Sequence, residues 1–248
     1  SYPQVKKLAR IIKKINQKTF VVCGGSLTAA ANTVLKKTDV DVCVVGDGEI
    51  AWVGILKFIK EHLKTGRNNL DIDKLLKIKG IAVLDDNKNL KFSGFGQSLA
   101  GCHMVFPDFE YFRSGLQGND ETLQNYFKPF NKHLSFVMDS RSFEKGRKPM
   151  VVNMFSSKSC VAKCTFCQRG SKGYFTYDLG KLEEYINNLR DNYNVGFLNI
   201  NDENFGSNKK YAYQVAELLN KYNMLWSAQG VRCTSVNEAD VIHYKKNG

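Results

Sequence analysis

Apolar positions along the chain follow two periods, and their alternation predicts an α/β fold. Val5, Leu8, Ile11, Ile12 and Ile15 recur at helical spacing. Phe20-Val21-Val22-Cys23 is a short apolar run halted by Gly24-Gly25, the form of a strand buried on both faces. A helix of small residues, from about Thr28 to Lys36, follows. A second buried run, Val42-Cys43-Val44-Val45, ends at Gly46-Asp47-Gly48-Glu49. Ile50, Val53, Leu56, Ile59 and Leu63 then line one face of a further helix. Helix, strand, helix, strand, helix over residues 1–66 predicts part of a doubly wound parallel sheet that begins after its opening strands.

The pattern changes over residues 67–148. Ile81 to Leu84 and Leu90 to Phe92, joined by Asp85-Asp86-Asn87-Lys88-Asn89, predict a hairpin with a polar turn. No sustained period runs through the rest, so the segment reads as a linker containing a hairpin. Alternation resumes over 149–248. Met150 to Phe155, Val195 to Ile200 and Met224 to Val231 predict strands. Leu182, Tyr185, Ile186, Leu189 and Tyr193, then Tyr211, Val215, Leu218, Leu219 and Tyr222, predict helix faces between them, and a last helix runs into Gly248. Three β/α units in a row predict a parallel barrel or open sheet, where chemistry gathers at the C-terminal ends of strands. A cysteine loop, the segment Asn201-Asp202-Glu203-Asn204-Phe205 and Arg232 all fall at such ends.

Composition narrows the class. At 43% hydrophobic and 24% charged, the 248 residues exclude a disordered chain, and no apolar stretch is long enough for a membrane span. Lys+Arg 36 against Asp+Glu 24 gives a net charge of +12, which favours polyanions without choosing one. The lysines are scattered and no aromatic-interleaved basic stripe appears, so a solvated surface is favoured over a nucleic-acid footprint. Seven cysteines are an odd number, and the chain opens Ser1-Tyr2-Pro3 with no leader. A reducing, cytoplasmic compartment is expected rather than a disulfide framework.

Three of those cysteines stand together in Ser159-Cys160-Val161-Ala162-Lys163-Cys164-Thr165-Phe166-Cys167, spaced C-x3-C-x2-C. Three thiolates from one loop can hold three irons of a cubane cluster, whose usual ligand set is four cysteines. The iron left open can then chelate an external amine and carboxylate. The competing reading is structural zinc, with a distant fourth ligand from Cys233, Cys102 or His103. That reading makes the chain a zinc-stabilised module holding RNA through its charge. Three unrelated buried thiols are the plainest alternative.

C-x3-C-x-aromatic-C directly after a strand resembles the radical S-adenosylmethionine (SAM) enzymes, with Phe166 at the aromatic position. Gly24-Gly25, Gly46-Asp47-Gly48-Glu49, Pro107-Asp108, Asp202-Glu203-Asn204-Phe205 and the Trp226 to Arg232 stretch extend the likeness, in order, to the class B type with an N-terminal cobalamin-binding domain. The resemblance implies the C-terminal half of a Rossmann-like, flavodoxin-like cobalamin domain over 1–66. A linker over 67–148 and the first three β/α units of a radical SAM partial TIM barrel over 149–248 would follow.

It further implies that Cys160, Cys164 and Cys167 ligate a [4Fe–4S] cluster whose open iron binds SAM. Reductive cleavage of SAM would give methionine and a 5′-deoxyadenosyl radical that abstracts a substrate hydrogen. Phe166 would lie near the adenine and Asp202, Glu203 and Asn204 near the methionyl amine. Arg232 would meet the SAM carboxylate or make a rim salt bridge. Gly24 and Gly25 would pass the cobalamin nucleotide tail or form a plain turn, with Gly48 and Glu49 on a second loop of the same rim. The implied activity is methyl transfer to a small-molecule or peptide substrate, with flavodoxin or ferredoxin as reductant. A radical SAM oxidoreductase, cyclase or tRNA-modifying enzyme is the alternative, and a remnant without turnover is a further one. Two departures stand out. The family's Asp-x-His-x-x-Gly cobalt-ligating motif is absent, since His62, His103, His133 and His243 do not fit it. The chain also stops after the third β/α unit, so an internal fragment of a longer enzyme is expected.

Overall fold

The computed structural model describes residues 1–65, 71–96, 98–99, 103–111, 123, 126–129, 139–167 and 173–248. Two compact units emerge: Ser1–Leu99 with Cys164–Lys172, and Ala100–Lys163 with Gly173–Gly248.

The first unit opens with α1 (Tyr2–Ile15), whose last-turn Lys13 and Lys14 suit the negative end of the helix dipole. Lys13 also reaches Asp41 at 2.7 Å. Then come β1 (Val22–Cys23), α2 (Ala31–Lys37), β2 (Val42–Val44), α3 (Glu49–Thr65), the short α4 (Ile72–Leu75), β3 (Ile81–Leu84) and β4 (Leu90–Phe92). Residues Ser26–Ala30 form a 3-10 turn, so the expected helix near Thr28 becomes α-helical only at Ala31. Strand order is β1-β2-β3-β4. β1 and β2 are parallel, with Cys23 opposite Cys43, while β3 is antiparallel to both β2 and β4.

The hairpin expected within a linker therefore extends the first sheet, and that sheet is mixed rather than all-parallel. The free edge of β2 explains this: its unpaired backbone groups find partners in β3. Helices cover both faces, as a doubly wound sheet requires. Ala31, Val34, Leu35 and Cys43 pack on one side, and Val42, Val44, Ile55, Phe58 and Ile81 on the other. Burial, with Cys23 adding to it, pushes the Cys43 thiol up to about 12. Both thiols belong to the core. Only Ala9 of α1 is fully buried, because α1 packs beside α2. Leu8, Ile11 and Ile15, expected on its core face, are exposed.

The second unit contains β5 (Lys128–Pro129), β6 (Met150–Met154), β7 (Ser157–Lys158), β8 (Phe175–Thr176), α5 (Leu179–Asn192), β9 (Val195–Ile200), α6 (Lys209–Lys221), β10 (Leu225–Ala228) and α7 (Glu238–Lys246). Its sheet runs β10-β9-β6-β5, with β10, β9 and β6 mutually parallel and β5 antiparallel to β6. Every residue of β9 is buried, as its unbroken apolar run predicts. Asp178, Asn208 and Asn237 cap α5, α6 and α7, each accepting from a backbone N–H in the first turn. Val152, Met154, Leu198 and Ile200 pack against Leu182, Ile186, Leu189, Val215 and Leu219.

Buried Asp240 ties α7 to α6. It meets Lys209 at 2.7 Å and accepts from the Tyr213 hydroxyl at 2.6 Å. Lys209 first, then Tyr213, holds the Asp240 carboxyl down at about 2. A folded-state value below the ordinary carboxylate stabilises the fold fully above about pH 4 and stops doing so as pH falls through about 2. Acid unfolding monitored by circular dichroism is expected to show this. Asp240→Asn should flatten the pH dependence between those limits, and a variant curve parallel to wild type there would contradict the assignment.

Candidate functional site

Register delivers three loops to one level. Met154 lies opposite Ile200, which lies opposite Ala228. The ladder runs one residue further, Asn201 N–H donating to Met154 O and Gln229 N–H to Ile200 O, both at 2.8 Å. Ser156, Asp202 and Gly230 thus leave the sheet side by side at its C-terminal edge.

Asp202 holds this edge together. Its Oδ1 accepts from the backbone N–H of Ser156 at 2.7 Å and of Ser157 at 3.1 Å. Its Oδ2 accepts from the hydroxyls of the same two serines, both at 2.6 Å. The Tyr211 hydroxyl donates to Ser156 O at 3.0 Å, and burial, then the Asp202 charge, pushes that phenol up. Asp202 was expected to meet a cofactor; here both its oxygens are filled by the strand that leads into the cysteine loop. Glu203 beside it is exposed. Asn204 is buried, its Oδ1 facing Arg232 N and Ser235 Oγ at 3.4 and 3.5 Å and its Nδ2 buried without a partner. The Arg232 guanidinium is exposed and forms no ion pair with a described residue.

Sequence reading missed Gly230. Its φ is +67°, and a Cβ there would stand 2.3 Å from Asp202 O and 2.9 Å from Glu203 O. Only glycine lets this segment pass so close to the acidic one. A row of polar side chains was missed as well. Asn153, Asn199 and Ser227 share one register line on the sheet face opposite α5 and α6. Ser227 Oγ donates to Asn199 Oδ1 at 2.9 Å, and Asn199 Nδ2 to Asn153 Oδ1 at 3.1 Å. The legible signal was an amide or hydroxyl at matched positions of otherwise apolar strands.

The cysteine loop leaves β7 through Ser159, which is held at φ +67° with its hydroxyl buried and unpartnered. Cys160 is buried, its Sγ accepting from Ala162 N–H at 3.3 Å. Cys164 is half-buried, Cys167 exposed and Phe166 91% exposed. Cys160 belongs to the second unit, Cys164 and Cys167 to the first. Among the described residues no three His, Cys, Asp or Glu side chains are gathered as a metal-holding group. Three thiols at this spacing suit an iron–sulfur cubane as a donor set. Of the fourth ligands a zinc site would need, Cys233 and His103 are exposed, and Cys102 lies outside the described residues.

In the first unit a cavity of about 520 Å³ opens at the ends of β1 and β2. Gly24, Gly25, Gly48 and Glu49, all expected on one rim, line it together with Asp47 and Trp52. Gly25 has φ +80°, and a Cβ on Gly24 or Gly25 would meet nothing within 4 Å. The backbone is therefore open to close approach by a ligand. Trp52, one turn into α3, is the lining residue that the sequence did not suggest.

No protein-family model matches the sequence, and no curated protein does. Solved structures do share the fold. The cobalamin-dependent S-adenosylmethionine radical enzyme OxsB with aqua-cobalamin bound matches at TM-score 0.61 and 13% identity, over 98% of this chain and 32% of that one. The same enzyme with aqua-cobalamin and S-adenosylmethionine bound matches at 0.59 and 13%, over 97% and 31%. Its apo, selenomethionine-labelled form matches at 0.52 and 12%, over 100% and 35%. The chain spans about a third of that enzyme's length. Among the described residues no helix is long and apolar enough to cross a membrane.

Proposed function

We propose that this chain carries the cluster loop and the corrinoid cavity of a cobalamin-dependent radical SAM enzyme, most readily a methyltransferase. One observation carries the reading. Three register-matched parallel strands bring Cys160, the acidic segment and the Arg232 segment to one C-terminal edge, in a fold similar to that of such an enzyme. Cys160, Cys164 and Cys167 hold a [4Fe–4S] cluster. When bound, the cluster supplies the electron for reductive cleavage of SAM, and cobalamin supplies a methyl carrier.

The chain's own residues bind and orient. Exposed Glu203 offers a carboxylate to the methionyl ammonium, and the exposed Arg232 fork offers a bidentate partner to the carboxylate. Phe166 presents an uncovered aromatic face to the adenine. Gly24 and Gly25 let the cobalamin tail lie against backbone. The substrate is a small molecule or peptide, the reductant a flavodoxin or ferredoxin, and the compartment reducing and cytoplasmic.

The corrinoid part has a direct test. Gly24→Phe is expected to leave the fold intact, because a Cβ at Gly24 meets nothing within 4 Å. The ring would occupy the cavity instead. Overpacking costs about 1–3 kcal/mol, so hydroxocobalamin should bind the complete native protein roughly ten- to a hundredfold more weakly in a spectrophotometric titration. Unchanged binding would remove cobalamin from this cavity.

A further inference from the structure

We infer that Asp202 is a positioning residue that tethers the root of the cysteine loop and does not itself touch SAM. The inference rests on the radical SAM reading and sharpens it, because it divides the acidic segment into a buried tether and an exposed contact residue.

The geometry of the carboxylate is the reason. Its two oxygens have different partners: Oδ1 takes two backbone N–H donors and Oδ2 takes two hydroxyls. Four short bonds to adjacent residues leave a buried carboxylate no exposed oxygen to offer an ammonium. The bonds also span the fold. Asp202 follows β9, whereas Ser156 and Ser157 follow β6, only a few residues ahead of Cys160. The tether therefore fixes where the loop starts. Tyr211, from α6, grips the Ser156 carbonyl from another direction. Glu203, next in sequence and exposed, is left to meet the ligand.

The division of labour between the two oxygens makes the inference testable by one atom. In Asp202→Asn the amide oxygen can keep both backbone N–H bonds. The amide nitrogen can donate to the two serine hydroxyls, which rotate and accept. The tether survives while the charge is lost. In Asp202→Ala both backbone N–H groups and both hydroxyls lose their carboxylate acceptor, with Tyr174 left to meet the Ser157 hydroxyl. A tether predicts that Asn behaves like wild type and Ala does not. A charge that binds SAM predicts that both fail.

Two readouts on the complete native protein separate the outcomes. In the metal-free protein, hydrogen exchange at the Ser156 and Ser157 amides should be slow in wild type and Asp202→Asn, and at least about tenfold faster in Asp202→Ala. Reconstitution with ferrous iron and sulfide should give a similar cluster content and a similar SAM-induced spectral change in wild type and Asp202→Asn. Residues that orient metal ligands typically matter by about 10–100-fold, and Asp202→Ala should lose iron affinity on that scale. Fast exchange at both amides in wild type would overturn the tether. So would an Asn variant that takes up iron normally but no longer responds to SAM. If wild type takes up no iron, the radical SAM reading fails, and the exchange comparison still decides whether Asp202 is a tether.

Discussion

Cys164→Ala is expected to abolish formation of 5′-deoxyadenosine from SAM while leaving both units folded. Cys164 is half-buried and takes no part in the packed cores, so its truncation costs little stability. On the proposed reading its removal takes away one of three cluster-holding thiolates. The loss should exceed the roughly 10–100-fold seen when only a residue supporting a metal ligand is changed. Chromatography of the products after reduction with dithionite reads the effect. Cys43→Ala is the informative contrast. Cys43 is fully buried between strands with its thiol pushed up to about 12, so its loss should lower the melting temperature and leave SAM cleavage in place. Equal activity in Cys164→Ala and wild type would remove Cys164 from the ligand set.

Gly230→Ala is the second large effect. The added methyl would stand 2.3 Å from Asp202 O in a residue already at φ +67°. A left-handed conformation costs a non-glycine residue about 1–2 kcal/mol, and overpacking about 1–3. A urea titration should therefore show a loss of roughly 2–5 kcal/mol. The displaced atoms are the Asp202 and Glu203 carbonyls, so SAM affinity should fall together with stability. Gly230→Asn separates the causes. Asparagine tolerates left-handed φ, and if strain alone mattered it would recover most of the stability. Because the clash is with backbone, Asn is expected to do no better than Ala.

Much of this was legible in the residues. The buried strands and the apolar faces of α5 and α6 appear where expected, because such elements write their burial directly into the sequence. The faces read for α1 and α3 do not: Leu8, Ile11, Ile15, Ile50, Val53 and Leu56 are exposed, and Ala51, Ile55 and Phe58 carry the packing of α3 instead. The glycine rim of the first unit was legible too: four residues named from motif order line one cavity. What periodicity hid was partnership across distance. The hairpin reads as a local unit, and nothing in Ile81 to Leu84 says that β2 needs an edge partner. Asp202 reads as a loop acid, and only the register of β6 and β9 brings two serine donors to each of its oxygens. Gly230 is one glycine among twenty until the Asp202 carbonyl is placed beside it. The thiol spacing was plain in the sequence.

The most direct test is electron paramagnetic resonance of the anaerobically reconstituted, reduced complete protein, recorded with and without SAM. The account predicts a cubane signal from a cluster held by Cys160, Cys164 and Cys167 that shifts when SAM binds the open iron. A protein that takes up zinc and no iron, or a cluster whose signal ignores SAM, would contradict it.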